Sequence, residues 1–146
     1  MLNDRGSIVV TRLHHGGLYV SDLEATRDFY VGVLGFEEIP RPASFKFPGA
    51  WFRSGTAEIH ATVELEPGRV GEFAVIAPRG KERDEGFWPH WSLQVEDVDE
   101  AQAAVEARGA TVAGGPMTRS DGVKQYYVLD PDGYMIELWS QLGRAP

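Results

Sequence analysis

An α+β fold built from two copies of one βαβββ module is predicted for this chain of 146 residues by three observations. First, the run His15-Gly16-Gly17-Leu18-Tyr19-Val20-Ser21-Asp22-Leu23-Glu24 returns half a chain later. It comes back as His90-Trp91-Ser92-Leu93-Gln94-Val95-Glu96-Asp97-Val98-Asp99, in register at His, Leu, Val and Asp. Second, each copy carries a β-like run onto an acidic helix cap. Third, each is followed by a pair of β-like runs joined by a Gly-containing turn. A repeat this long marks a duplicated supersecondary unit. The length fits one domain over residues 1–146, made of module 13–66 and module 90–141 with a connection at 67–89.

The elements follow in order. Leu13 to Val20 is β-like, and period two sets His15, Gly17 and Tyr19 on one face and His14, Leu18 and Val20 on the other. Ser21-Asp22-Leu23-Glu24 is a capping box in which Asp22 serves equally well as N-cap. The helix it starts carries Leu23, Thr26, Tyr30, Val33 and Leu34 along one stripe, and Gly35 ends it. Phe36 to Arg41 is a strand closed by Pro40 and Pro42. Ala50 to Ser54 and Glu58 to Glu64 form a hairpin around Ser54-Gly55-Thr56, with Glu58, His60, Thr62 and Glu64 on one face.

The connection at 67–89 is rich in Gly, Pro and charge, with a β-like run at Phe73–Ala77 and a solvated stretch at Arg79–Gly86. His90 to Val95 is the second module's first strand, with His90, Ser92 and Gln94 on one face. Asp97 caps a helix from Val98 to Arg108, which Gly109 stops. Thr111 to Ala113 starts a strand, and Gly114 to Asp121 reads as a loop. Lys124 to Leu129 and Tyr134 to Gln141 make a hairpin through Asp130-Pro131-Asp132-Gly133, and Met135, Glu137 and Trp139 share a face.

Composition narrows the function. A net charge of −8 argues against nucleic acid, whose phosphates need a basic face. Cysteine is absent, which removes disulfides, thiolate metal sites and cysteine nucleophiles. No apolar run approaches the roughly 20 residues that cross a bilayer. Residues 1–12 lack the apolar stretch of a signal peptide, so a cytoplasmic protein with no membrane or nucleic-acid partner is expected.

What remains is a metal-ligand pattern. Each copy of the repeat opens on a histidine, His15 and His90, and each half ends in another candidate ligand, His60 and Glu137. Three imidazoles and one carboxylate from two related modules read as a metal site. Glu137 stands between Ile136 and Leu138, where a buried carboxylate needs a partner. Nitrogen and oxygen donors without sulfur suit one divalent ion, Fe, Mn, Ni, Co or Zn. Tyr19, Gln94, Tyr127, Trp139 and Met135 are candidates for the substrate pocket, and Trp51, Phe52, Phe87 and Trp88 are further ones. His14 falls on the opposite face and reads as structural, and Asp130 and Asp132 read as turn residues.

The paired His-x-x-Leu-x-Val-x-Asp strands, Phe29-Tyr30-x4-Gly35-Phe36 and Asp130-Pro131-Asp132-Gly133-x3-Glu137 together resemble the vicinal oxygen chelate superfamily. This is the group of glyoxalase I, extradiol dioxygenases and bleomycin-resistance proteins, and the resemblance covers residues 13–141. It implies that the two modules pair into a cupped, mostly antiparallel mixed sheet around a divalent metal held by His15, His60, His90 and Glu137. It implies a homodimer and a small-molecule substrate with two neighbouring oxygens. The expected activity is a glyoxalase-like lyase or isomerase working through a metal-stabilised enolate. Glu137 is the first candidate for the base, ahead of Glu58, Glu64 and Tyr19. An Fe(II) ring-cleaving dioxygenase using His15, His90 and Glu137 is the alternative, and a bleomycin-resistance-like binding protein the second. His60 stands where glyoxalase I carries a glutamate, which turns the expectation away from that enzyme's own reaction.

Overall fold

A computed structural model describes residues 8–70 and 89–141. The first module contains β1 (Gly16–Val20), α1 (Leu23–Arg27), a π-helical segment (Asp28–Val33), β2 (Glu37–Ile39), β3 (Gly49–Ser54) and β4 (Ala57–Val63). The second contains β5 (His90–Gln94), α2 (Val98–Ala107), β6 (Thr111–Thr118), β7 (Val123–Leu129) and β8 (Met135–Gln141). Each forms a mixed four-stranded sheet, ordered β1-β4-β3-β2 and β5-β8-β7-β6. The duplication read from the sequence is thus repeated in the topology, with one parallel pair at the same place in each sheet, β1 with β4 and β5 with β8.

Local chemistry accounts for most boundaries. Asp22 Oδ1 accepts from the amides of Glu24 and Ala25, and Asp97 Oδ1 from those of Asp99 and Glu100. Each carboxylate thereby satisfies two donors that a helix start leaves open. Gly35 (φ 74°) and Gly109 (φ 79°) end the two helices in the left-handed region, where a side chain would be strained.

Three elements depart from the sequence reading. The first helix widens at Asp28, where Leu34 N–H reaches back to the Phe29 carbonyl at 3.0 Å. A five-residue reach of this kind is invisible to a 3.6-residue period. The first strand begins at Gly16, so His14 and His15 precede it. Finally, Gly114 to Thr118 is not a loop but extends β6, with register shifts at Val112/Gly114 and Gly114/Met117 that break the alternation a strand normally shows. The β-like run at 73–77 and the charged stretch at 79–86 lie outside the described residues.

One apolar cluster joins the modules: Leu18, Val20, Tyr30, Phe52 and Ile59 from the first pack with Val98, Tyr126, Ile136 and Leu138 from the second. Polar clasps reinforce it. Ser21 donates to Asp132 from its amide (3.1 Å) and hydroxyl (2.5 Å). Tyr30 Oη donates to Asp130 Oδ2 at 3.2 Å, and Tyr134 Oη to the Tyr19 carbonyl at 2.9 Å. The Asp130–Gly133 turn is therefore the joint between modules. Among the described residues, no helix is long and apolar enough to cross a membrane.

The β3–β4 pairing leaves no room at Gly49. An added Cβ would overlap the Ala61 carbonyl oxygen, with Ala61 C and Thr62 Cα each 3.3 Å away. These are backbone atoms held by the ladder, so the sheet itself must shift. Gly49→Ala is expected to lower stability by about 1–3 kcal/mol, the usual range for overpacking. A urea melt with an unchanged midpoint would refute it.

Candidate metal and substrate site

The strand registers fix where the candidate ligands lie. His60 on β4 stands opposite Gly17 on β1 and Trp51 on β3. Glu137 on β8 stands opposite Ser92 on β5 and Tyr127 on β7. Gly17 and Ser92 are equivalent in the repeat, so His60 and Glu137 occupy equivalent places in the two sheets.

In the first module His15 and His60 meet. Their rings lie parallel with centroids 4.0 Å apart, and the Trp51 ring covers the other face of His60 at 3.9 Å. Clamped on both faces, His60 offers only its edge. Its Nε2 lies 3.1 Å from Glu58 Oε2. Hydrogen bonding from His60, and from Arg53 on its far side, holds the Glu58 carboxyl below the ordinary value. An ionised carboxylate only accepts, so His60 carries its proton on Nε2 and leaves Nδ1 as a lone pair. Burial, partly offset by Glu58, lowers the His60 pKa and favours the neutral, ligating form.

His14 is a correction. Its Nδ1 lies 3.0 Å from His15 Nδ1 and 3.9 Å from Glu58 Oε2, so it belongs to this cluster and not to the opposite face. Face alternation does not apply to it, because residues 14 and 15 precede the strand.

In the second module His90 and Glu137 meet. Glu137 is 6% exposed, between buried Ile136 and Leu138. Its Oε2 accepts from Ser92 Oγ at 2.6 Å and lies 3.2 Å from His90 Nε2, and Gln125 Nε2 donates to Oε1. Glu137 therefore faces inward and not toward solvent. Tyr127 packs edge-on against His90, with centroids 5.7 Å apart. Gln125 was missed in the sequence, where nothing marks which residue of β7 faces Glu137. Ser92, one step of alternation from His90, carried the only available signal.

The two pairs stay apart within the chain. A cavity of about 440 Å³ opens beside His60 and another of about 410 Å³ beside His90, and Gly17, Leu18 and Tyr19 form the wall between them. Among the described residues, no three His, Cys, Asp or Glu side chains are gathered closely enough to hold a metal ion. Of the pocket candidates, Tyr19 lines both cavities and Met135 the second. Tyr127 is buried beneath His90, and Phe52 belongs to the core. Gln94 instead lines a separate groove of about 910 Å³ against α2, and Trp139 sits next to it in register. Of the other base candidates, Glu64 accepts from the amides of Gly68 and Val70, a structural role. Phe87 and Trp88 lie outside the described residues.

The donor chemistry fits a divalent ion in halves. The first half supplies two imidazoles, His15 and His60, and the second an imidazole and a carboxylate, His90 and Glu137.

Two mixed sheets of identical topology, with His60 and Glu137 at the same register, define the class of paired βαβββ proteins. The sequence pattern of the Glyoxalase/Bleomycin resistance protein/Dioxygenase superfamily matches residues 12–138, and the chain belongs to that family. It is 29% identical over 141 residues to Glyoxylase I 4 of Arabidopsis thaliana, covering 94% of this chain and 76% of that one. It is 30% identical over 132 residues to a lactoylglutathione lyase of Escherichia coli O157:H7, covering 87% and 90%. Among solved structures it resembles a glyoxalase family protein from Bacillus anthracis, with a TM-score of 0.70 and 27% identity over 92% of this chain and 98% of that one.

Proposed function

We propose that this protein is a divalent-metal-dependent lyase or isomerase acting on a small substrate with two neighbouring oxygens. The observation that carries the reading is that His15 meets His60 and His90 meets Glu137, with His60 and Glu137 at equivalent registers of the two sheets. We assign the metal to these four residues, completed across a homodimer: His15 and His60 from one copy, His90 and Glu137 from the other. The wall of Gly17, Leu18 and Tyr19 between the half-sites supports this. A two-fold axis that lays one copy's first half against the other's second half would build two complete sites at once.

When bound, the metal supplies Lewis-acid stabilisation of negative charge on the substrate oxygens. The chain's own residues do the rest. Trp51 and Glu58 fix the His60 ring, and Ser92 and Gln125 hold Glu137 in one orientation. Glu137 is our assignment for proton transfer, since its carboxylate stands at the site with its position set by three neighbours. The relatives named as glyoxylase and lactoylglutathione lyase support lyase chemistry. His60, standing where a glutamate is expected in glyoxalase I, speaks for a different substrate from that enzyme's.

The second reading, an Fe(II) dioxygenase, is favoured by His15, His90 and Glu137, a set of two histidines and one carboxylate. Elemental analysis of protein purified anaerobically without chelators separates the two. About one zinc, nickel, cobalt or manganese per chain is expected. Iron together with oxygen uptake on catechols would favour the dioxygenase. Failure to take up any metal on titration would refute both and leave a binding protein.

A further inference from the structure

The cavity beside His60 has a chemistry of its own. Its mouth is formed by Gly17, Tyr19, Phe47, His60, Thr62 and Leu65. Among the described residues that line it, none carries a carboxylate, ammonium or guanidinium. Three of the apolar ones face solvent: Leu65 is 80% exposed, Phe47 40% and Tyr19 37%. Large apolar side chains collected around one opening mark a place where something apolar is received.

Phe47 is held for the purpose. It lies in the loop between β2 and β3, with Phe45 edge-on at 5.4 Å and Trp51 beyond Phe45 at 5.5 Å. Arg41 closes that loop by donating to the carbonyls of Gly49 (2.8 Å) and Phe47 (2.9 Å), and its guanidinium sits 4.9 Å from the Phe47 ring centroid. The loop's carbonyls and its aromatic face are thus tied to one side chain. Behind the cavity lining, the Arg69 guanidinium lies 5.9 Å from the Tyr19 ring centroid.

The floor is Gly17. Its equivalent in the second module, Ser92, carries a hydroxyl that reaches Glu137. At Gly17 a Cβ would meet no atom within 4 Å, and the backbone there is not in the left-handed region. A β-carbon would be tolerated there, so glycine leaves the floor open.

We infer that the substrate carries an aryl group on its vicinal oxygens, seated in this cavity between Phe47 and Tyr19, with the oxygens directed to His60. Two of its walls are aromatic and would meet a flat ring edge-on or offset. This rests on the reading of the site as a chelate centre.

Two ketones with the same pair of oxygens test it: 2-hydroxyacetophenone, which carries a phenyl ring, and hydroxyacetone, which carries a methyl group. Both are titrated calorimetrically into metal-loaded and chelator-treated protein. The aryl ketone is expected to bind about tenfold more tightly, the effect of removing roughly 55 Å² of apolar surface from water, about one face of the ring in an open cavity. Gly17→Leu, which fills the floor, and Phe47→Ser, at an exposed position, are each expected to bring the two ketones to parity. Equal affinities in the unaltered protein, or a preference that survives both substitutions, would overturn the inference. A preference present with and without metal supports the aryl cavity while overturning the chelate reading, so the two fail separately. If Phe47→Ser dissociated the protein in sedimentation but left the preference unchanged, the patch would belong to a second copy and the inference would fall.

Discussion

Chains carrying His15→Ala and His60→Ala, mixed with chains carrying His90→Ala and Glu137→Ala, are expected to regain about a quarter of the wild-type metal content. Each double variant alone is expected to bind almost none. The arithmetic follows from two-fold assembly: half of a random mixture is heterodimer, and each heterodimer has one complete site and one empty one. A site confined to a single chain gives no recovery at any mixing ratio, because every chain then lacks two of four ligands. The substitutions remove the stack of His15 on His60 and the pairing of His90 with the buried Glu137. Circular dichroism and a thermal melt of each variant alone therefore accompany the experiment. Chains must be unfolded and refolded together, or co-expressed, so that subunits exchange. Metal measured after gel filtration is the readout, and recovery near zero with folded, exchanged chains sinks the two-chain assignment.

How far this site could be seen in advance depended on the range of the interaction. Features set within a few residues were legible: the Asp22 and Asp97 caps, the Gly35 and Gly109 stops and the Asp130–Gly133 turn all use partners near in sequence. The repeat supplied one piece of long-range information, and from it came His15, His90 and the equivalence of His60 with Glu137. What neighbouring strands bring was not legible. Gln125 meets Glu137 because β7 and β8 pair in one particular register, and a slip of one residue would turn it away. Trp51 meets His60 for the same reason. His14 was misplaced because strand alternation was carried back past Gly16, where the strand had already ended. The π-helical widening at Asp28 and the shifted register of β6 are departures from ideal period, so a search by period passes over both.

The joint between modules should make stability depend on pH through one carboxyl group. Asp130 is 5% exposed, and its Oδ1 accepts from the amides of Asp132 (3.0 Å) and Tyr134 (2.9 Å), while Oδ2 faces Tyr30 Oη at 3.2 Å. Burial is the largest influence and pushes its pKa from 3.8 up to about 7, with the Asp132 charge adding to the rise; the two amides and Tyr30 offset only part of it. Between those two values the folded chain holds a proton that the unfolded chain has released. Stability then falls as pH rises through that window, by up to about 4 kcal/mol at roughly 1.4 kcal/mol for each unit of pKa difference. The proton can reside on Oδ2, where the group donates to Tyr30 Oη instead of accepting from it, so the clasp survives in both states. Glu58 and Glu106 act in the opposite sense, since partners hold both below their ordinary values and their stabilisation is lost as pH falls. The comparison that isolates Asp130 is therefore with Asp130→Asn, which keeps the acceptor for the two amides and carries no titrating proton. Urea melts at steps from pH 4.5 to 8 are expected to show the wild-type protein losing ground steadily to Asp130→Asn. Parallel curves would mean that Asp130 ionises in the fold as readily as in the unfolded chain, and that water reaches the joint between the modules.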